Sequence, residues 1–346
     1  MTLAARTMAM MVAAIVVIDV RPSTAQTTAE QPGTFLEFLN APAPGKPLTE
    51  VPHLRMGVGG ALVSAVMDTG STGVVISATS IPDIDALPSL GPGEITYSSS
   101  GRIMNGHWVV TPLVIAGRSG MVRTTPIAVL AVDSISCTAT ARRCTPEQHP
   151  THVAMLGIGF GRAHDKQPGG TPDHNPFLNL AGGGRHSYVI TRRGIAIGAG
   201  TEGFTTVKLS RDKTTLGDWA TPPACIALGD GPASCGTVLV DTGITGMFLT
   251  LPPGRLPAGA AEAKTLPAGT TVRIALVPGG GGTRIDHVVR VGDGSDDAVP
   301  SSLILSGIGK RPTFVNTGAH LLNRFDYLYD ADAGVVGYRA AGESGR

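Results

Sequence analysis

From Leu54 onward, apolar positions come in short runs separated by clusters of glycine, proline and serine. That pattern predicts short strands joined by tight turns. Residues 54–58 and 62–67 predict a hairpin turning at Gly59-Gly60. Residues 94–106 predict a second hairpin, with Ser98-Ser99-Ser100-Gly101 at its tip. Residues 107–115 read as a further strand region, and the Gly/Pro/His-rich stretch 161–175 as a surface loop. The glycine run 279–282 reads as a flexible hairpin tip. No long stretch repeats apolar residues at helical spacing, so the expected fold class is all-β with a few short helices.

One pattern occurs twice. The first copy reads Val66-Met67-Asp68-Thr69-Gly70-Ser71-Thr72-Gly73 and the second Leu239-Val240-Asp241-Thr242-Gly243-Ile244-Thr245-Gly246. Each is an apolar strand, a polar turn, then a branched strand. The copies lie about 170 residues apart, too far for a solenoid period, so they predict a duplicated domain. Gly70 and Gly243 permit close approach of another chain segment. Thr69 and Thr242 can hydrogen-bond across the junction. Two carboxylates brought together cannot both ionise easily, so Asp68 and Asp241 would share a proton. One could then act as base on a water and the other as acid toward a carbonyl oxygen. The plainer reading of both aspartates is turn chemistry alone; the same holds for Ser71, which could otherwise hydrogen-bond Asp68.

Composition narrows the setting. Hydrophobic content of 42% against 15% charged residues describes a globular chain. A net charge of +1 gives no reason to expect nucleic acid or an anionic membrane as partner. Residues 1–25 read as a signal peptide, with Arg6 in its charged region, an apolar run at 8–18 too short to span a bilayer, and cleavage near Ala25. The alternative is an uncleaved anchor. The mature chain is expected to be secreted or periplasmic, with no membrane contact after cleavage. Four cysteines then predict two local disulfides, Cys137–Cys144 and Cys225–Cys235. A zinc site is the other use of four cysteines, but no ligand spacing supports it, and neither metal nor cofactor is expected.

At this point the chain resembles the pepsin-like aspartic proteases, whose proton-sharing dyad is a standard example of paired carboxylate chemistry. Ile95-Thr96-Tyr97-Ser98-Ser99-Ser100-Gly101 resembles that family's flap hairpin. Met155-Leu156-Gly157-Ile158-Gly159-Phe160 resembles its apolar-apolar-Gly strand, and Asn175-Pro176-Phe177-Leu178-Asn179-Leu180 the helix that follows. Gly318-Ala319-His320-Leu321-Leu322 resembles its closing helix, and the segment running to Asp330 a strand ending in aromatic-Asp. Cys225 and Cys235 resemble a disulfide hairpin in a similar place. The resemblance spans roughly residues 54–340. It implies a bilobal acid-protease fold with pseudo-two-fold symmetry. The divisions expected are an N-terminal arm or linker at 26–53, a lobe at 54–190 carrying Asp68 and the flap, and a lobe at 191–346 carrying Asp241. It implies aspartic-type endopeptidase activity on extended polypeptides by a monomer, with Asp68 and Asp241 catalytic. Thr69, Gly70, Ser71, Thr242 and Gly243 would support the dyad, and Tyr97, Ser98 and Ser99 would lie over substrate. Tyr97 could instead simply pack on its sheet.

The chain departs from the family at two places. Ile244 stands where the second motif usually has Ser or Thr, so Asp241 is expected to lack a hydroxyl donor and to be the more readily protonated partner. Val75 stands where a tryptophan often holds the flap tyrosine. Residues 26–53 are few for an inhibitory pro-segment, so the expectation is little or no zymogen control, or a pro-segment reduced to residues 26–50. The rival from another class is a catalytically silent relative that binds or inhibits; a small-molecule or polyester hydrolase has less support. His149-Pro150-Thr151-His152 carries a proline that argues against a zinc helix, and no Gly-x-Ser-x-Gly elbow is present.

Overall fold

The computed structural model describes residues 33–60, 62–141, 144–163, 165, 167, 169–278 and 283–342. The expected signal peptide and the glycine tip at 279–282 lie outside the described residues. What is described is all-β with a few short helical turns, arranged as three sheets. No helix among the described residues is long and apolar enough to cross a membrane.

The ten-stranded sheet gathers residues 53–158. The hairpin expected at its start forms, with strand His53–Gly57 antiparallel to strand Val63–Asp68. At its centre strand Thr72–Ser77 is buried at every position. It runs parallel to strand Ile127–Cys137 and antiparallel to strand Ala154–Ile158. A strand covered on both faces needs a continuous apolar run, and Val74-Val75-Ile76 supplies it. The second hairpin also forms. Strand Ser89–Tyr97 pairs with strand Arg102–Thr111, Tyr97 opposite Arg102. Strand Ile127–Cys137 accompanies the return arm to its end, Cys137 opposite Arg102. The disulfide Cys137–Cys144 closes the loop that follows, and Thr138 donates its backbone N–H to Gly101 at 2.9 Å. The hairpin tip is therefore braced by a third strand.

The seven-stranded sheet gathers residues 223–316 and repeats the central pattern of the first. Strand Ser234–Leu239 runs parallel to strand Phe314–Asn316, which is antiparallel to strand Met247–Thr250. In the first sheet, strand Val63–Asp68 runs parallel to strand Ala154–Ile158, which is antiparallel to strand Thr72–Ser77. The registers place Gly157 opposite Gly73. Continued by two residues, the second register places Gly318 opposite Gly246. A side chain on either partner glycine would collide with backbone: an ideal Cβ on Gly157 lies 2.5 Å from the Gly73 carbonyl oxygen, and one on Gly318 lies 2.4 Å from that of Gly246. Cys225 pairs with Cys235 across this sheet, joined by the second disulfide.

The six-stranded sheet draws on both ends of the chain. Its order is Phe35–Glu37, Gly194–Ile197, Ser187–Ile190, Phe325–Asp330, Val335–Ala340 and Thr205–Lys208. Three sequence expectations meet the structure here. The stretch read as an arm or linker is packed from residue 35 onward. Leu36, Phe38 and Leu48 are buried, Arg193 donates to the Pro42 carbonyl and to Glu37, and Leu48 exchanges two hydrogen bonds with Asn323. Proline-rich composition masked a few apolar residues with definite sockets. The expected boundary at 190/191 falls between two strands, Ser187–Ile190 and Gly194–Ile197, that pair with each other. The segment 175–180 forms turns, not a helix: the Asn175 side chain accepts from the Phe177 N–H and donates to the Ile158 carbonyl. An asparagine that bonds the local backbone competes with helix formation.

Candidate active site

Both Asp-Thr-Gly turns follow a strand directly, and the strands aim them at each other. The Thr69 backbone N–H donates to the Thr242 hydroxyl at 3.0 Å, and the Thr242 N–H donates to the Thr69 hydroxyl at 3.0 Å. Each hydroxyl also donates across to the other strand, Thr69 to the Val240 carbonyl and Thr242 to the Met67 carbonyl. Both threonines are buried. The exchange is reciprocal, so the turns form one unit.

That unit brings the aspartates together. An ideal Cβ on Gly70 would lie 2.5 Å from the Asp241 carboxylate, and one on Gly243 would lie 2.5 Å from that of Asp68. Each glycine thus leaves room for the opposite acid. Asp68 and Asp241 are only 5% and 6% exposed, so both are poorly hydrated. The Gly70 N–H donates to Asp68 Oδ1 at 2.6 Å and the Gly243 N–H to Asp241 Oδ1 at 2.9 Å. Burial, and then the Asp68 carboxylate beside it, push Asp241 up to about 8. Asp241 is held as a neutral acid at pH values where an exposed aspartate is charged.

The outer oxygens are served differently. Ser71 donates its hydroxyl to Asp68 Oδ2 at 2.5 Å, as its position in the motif predicts. Ile244 has no such group, yet Asp241 does not lack a donor. Asn316 Nδ2 donates to Asp241 Oδ2 at 2.6 Å. Asp241 lacks the motif hydroxyl, as Ile244 predicts, and an amide takes its place. The donor comes from strand Phe314–Asn316, which lies beside the turn because it pairs with the strands on either side of it. By register Asn316 occupies the place of Met155 in the first sheet. A polar residue where the first copy has an apolar one was the signal in the sequence.

Tyr97 lies at the end of its strand and is 8% exposed. It packs in an apolar cluster with Val75, Ile95, Met104 and Leu130. Its hydroxyl is buried beside Ser71 and closes no hydrogen bond among the described residues. Burial, and then the nearby Asp68 charge, raise it well above the ordinary tyrosine range. Ser98, at the hairpin tip, donates to Asp165 at 3.1 Å. Ser99, beside it at the tip, is exposed. Asp165 in turn pairs with Arg162, whose Nε donates to the Gly70 carbonyl at 2.9 Å. The stretch read as a surface loop therefore folds inward: Arg162 and Gln167 are buried, and Gln167 accepts the Thr72 N–H. Sequence reasoning missed Arg162, because nothing local marks it.

Among the described residues, no three His, Cys, Asp or Glu side chains gather as a metal site. No family model matches the chain, and no curated protein matches it.

Proposed function

We propose that this chain is an exported aspartic-type endopeptidase of the pepsin-like kind. Its two lobes would be related by a pseudo-two-fold through the Thr69–Thr242 exchange. The observation that carries the reading is the pairing of two buried aspartates on matched turns, with Asp241 held neutral. In the mechanism, Asp68 accepts a proton from a water as that water attacks the scissile carbonyl carbon. Asp241 gives its proton to the carbonyl oxygen, and a gem-diol results. In breakdown Asp68 gives its proton to the leaving nitrogen, Asp241 takes one from a hydroxyl of the diol, the C–N bond breaks, and the pair again holds one shared proton. An extended substrate would pair its backbone with the hairpin 89–111 and place side chains against the apolar cluster around Tyr97. Two disulfides fit an oxidising compartment, which supports export.

The deciding experiment is cleavage of an unfolded protein from pH ~3 to ~9, which covers both the usual range of such dyads and the raised Asp241. Wild type is compared with Asp68→Asn and Asp241→Asn, and a statine-type inhibitor is added. We expect both variants to lose at least about 1,000-fold in kcat, since each removes half of the acid–base pair. Cleavage surviving in both variants would end the dyad mechanism. A second reading, a silent relative that binds peptide without turnover, draws on how closed the site is: both aspartates and Tyr97 are more than nine-tenths covered. Inhibitor binding with no cleavage at any pH would favour it.

A further inference from the structure

Asn316 is nine-tenths buried, and its amide has a fixed orientation. Its Oδ1 accepts the Gly318 N–H at 3.1 Å, which leaves Nδ2 facing Asp241 Oδ2 at 2.6 Å. Gly318 is itself fixed, because it packs against the Gly246 carbonyl. The amide therefore cannot turn over without losing both bonds. An amide nitrogen only donates, whereas a hydroxyl such as that of Ser71 can donate or accept.

We propose that Asn316 is the positioning residue of the second aspartate: its amide replaces, from the neighbouring strand, the loop hydroxyl that Ile244 cannot offer, and keeps Asp241 Oδ2 a hydrogen-bond acceptor. The assignment rests on the protease reading above and deepens it. Asp241 Oδ1 accepts the Gly243 N–H and Oδ2 the Asn316 amide, so donors that cannot reverse hold its carboxyl in one orientation. Asp68 keeps a hydroxyl partner that can follow its proton in either direction, which suits the base. The charged and titratable groups that face the pair are few: the two aspartates themselves, Arg162 behind Gly70, and Tyr97 over Asp68. Arg162 spends its donors on the Gly70 carbonyl and Asp165, and the Tyr97 hydroxyl closes no hydrogen bond among the described residues.

The test is the pH profile of Asn316→Leu, alone and with Ile244→Thr. Losing a donor to an ionisable carboxylate disfavours its charged form, so the upper limb of the profile should move up by about one pH unit. The Ile244→Thr change in the double variant restores a hydroxyl in the position that Ser71 holds in the first loop, and should bring the limb back to wild type. A lowered kcat with an unmoved limb, or a double variant that fails to return, would overturn the assignment. If Asn316→Leu does not fold, Asn316→Ala carries the same test with less steric change. Carbon-13 NMR titration of the Asp241 carboxyl, assigned by its loss in Asp241→Asn, reads the shift without any turnover. Wild type that cleaves nothing would sink the protease reading alone. A carboxyl that titrates identically with and without Asn316 would sink this one.

Discussion

The two Asp-Thr-Gly turns exchange reciprocal threonine bonds, yet they complete their aspartates by different routes. At Asp68 the outer donor is three residues along the same turn. At Asp241 it comes from a strand 75 residues away in sequence. The difference teaches that the repeat fixes where an oxygen needs a partner, not which residue provides it. A local donor survives any change that leaves the turn intact. A remote donor also depends on the register of strand Phe314–Asn316 against its neighbours. The second aspartate is thus tied to the packing of its sheet more closely than the first.

The comparison can be broken most severely at the glycines. Gly70→Ala and Gly243→Ala each put a methyl group 2.5 Å from the opposite carboxylate. Overpacking at a site with no room costs about 3 kcal/mol or more. We expect each variant to abolish activity and lower the unfolding free energy by that amount in urea titrations. Equal losses would show the junction to be symmetric in packing even though its donors are not.

A middle-sized test targets the threonines. Thr69→Val and Thr242→Val each strip hydrogen bonds from buried backbone groups, at about 2 kcal/mol per variant. The double variant should cost less than the sum by about 1 kcal/mol, because the residues share partners. A double-mutant cycle with no coupling would mean that something other than this exchange holds the two turns together.

A further test concerns pH, and here the second half opposes itself. The native Asp241 sits near 8, above the ordinary aspartate value of 3.8. Its contribution to stability is therefore full below about pH 4 and is lost as pH rises toward 8. His287 is fully buried with no hydrogen-bond partner for either ring nitrogen among the described residues, and burial lowers it to about 3. Its native form resists protonation, so stability is full above about 6.5 and is lost as pH falls toward 3, by at most about 1.4 kcal/mol per unit. Thermal unfolding across pH ~3 to ~8 should show Asp241→Asn gaining stability over wild type at the neutral end, and His287→Leu gaining at the acid end. A His287→Leu curve parallel to wild type throughout would mean that the imidazole finds a partner on protonation.

Much of this architecture was readable along the chain. The apolar runs around the two turns, the hairpin carrying Tyr97 and the cysteine spacings all describe interactions between near neighbours, and they fold as their patterns indicate. Asn316, Arg162 and His287 were not readable in the same way. Each acquires its meaning from what meets it from far along the chain, and their own neighbours carry no sign of it. Asn316 came nearest to being visible, since aligning the two copies sets it against Met155. The buried arm from Phe35 was hidden for another reason: three residues of strand are too few to show a period, and prolines nearby argue for a loop.

The six-stranded sheet has a consequence for how the molecule is made. Strand Ser187–Ile190 lies between strands Gly194–Ile197 and Phe325–Asp330. During synthesis one edge of that strand waits for well over a hundred more residues before its partner exists. Until then Tyr188 and Val189, both buried in the finished fold, stand at an open sheet edge. Pairings of such long sequence separation are slow to form. Strand Val335–Ala340 then pairs with Phe325–Asp330 and with Thr205–Lys208. Residues 325–340 therefore complete a sheet that starts with Phe35–Glu37, and a chain lacking them would be left with an adhesive edge where the sheet's centre should be.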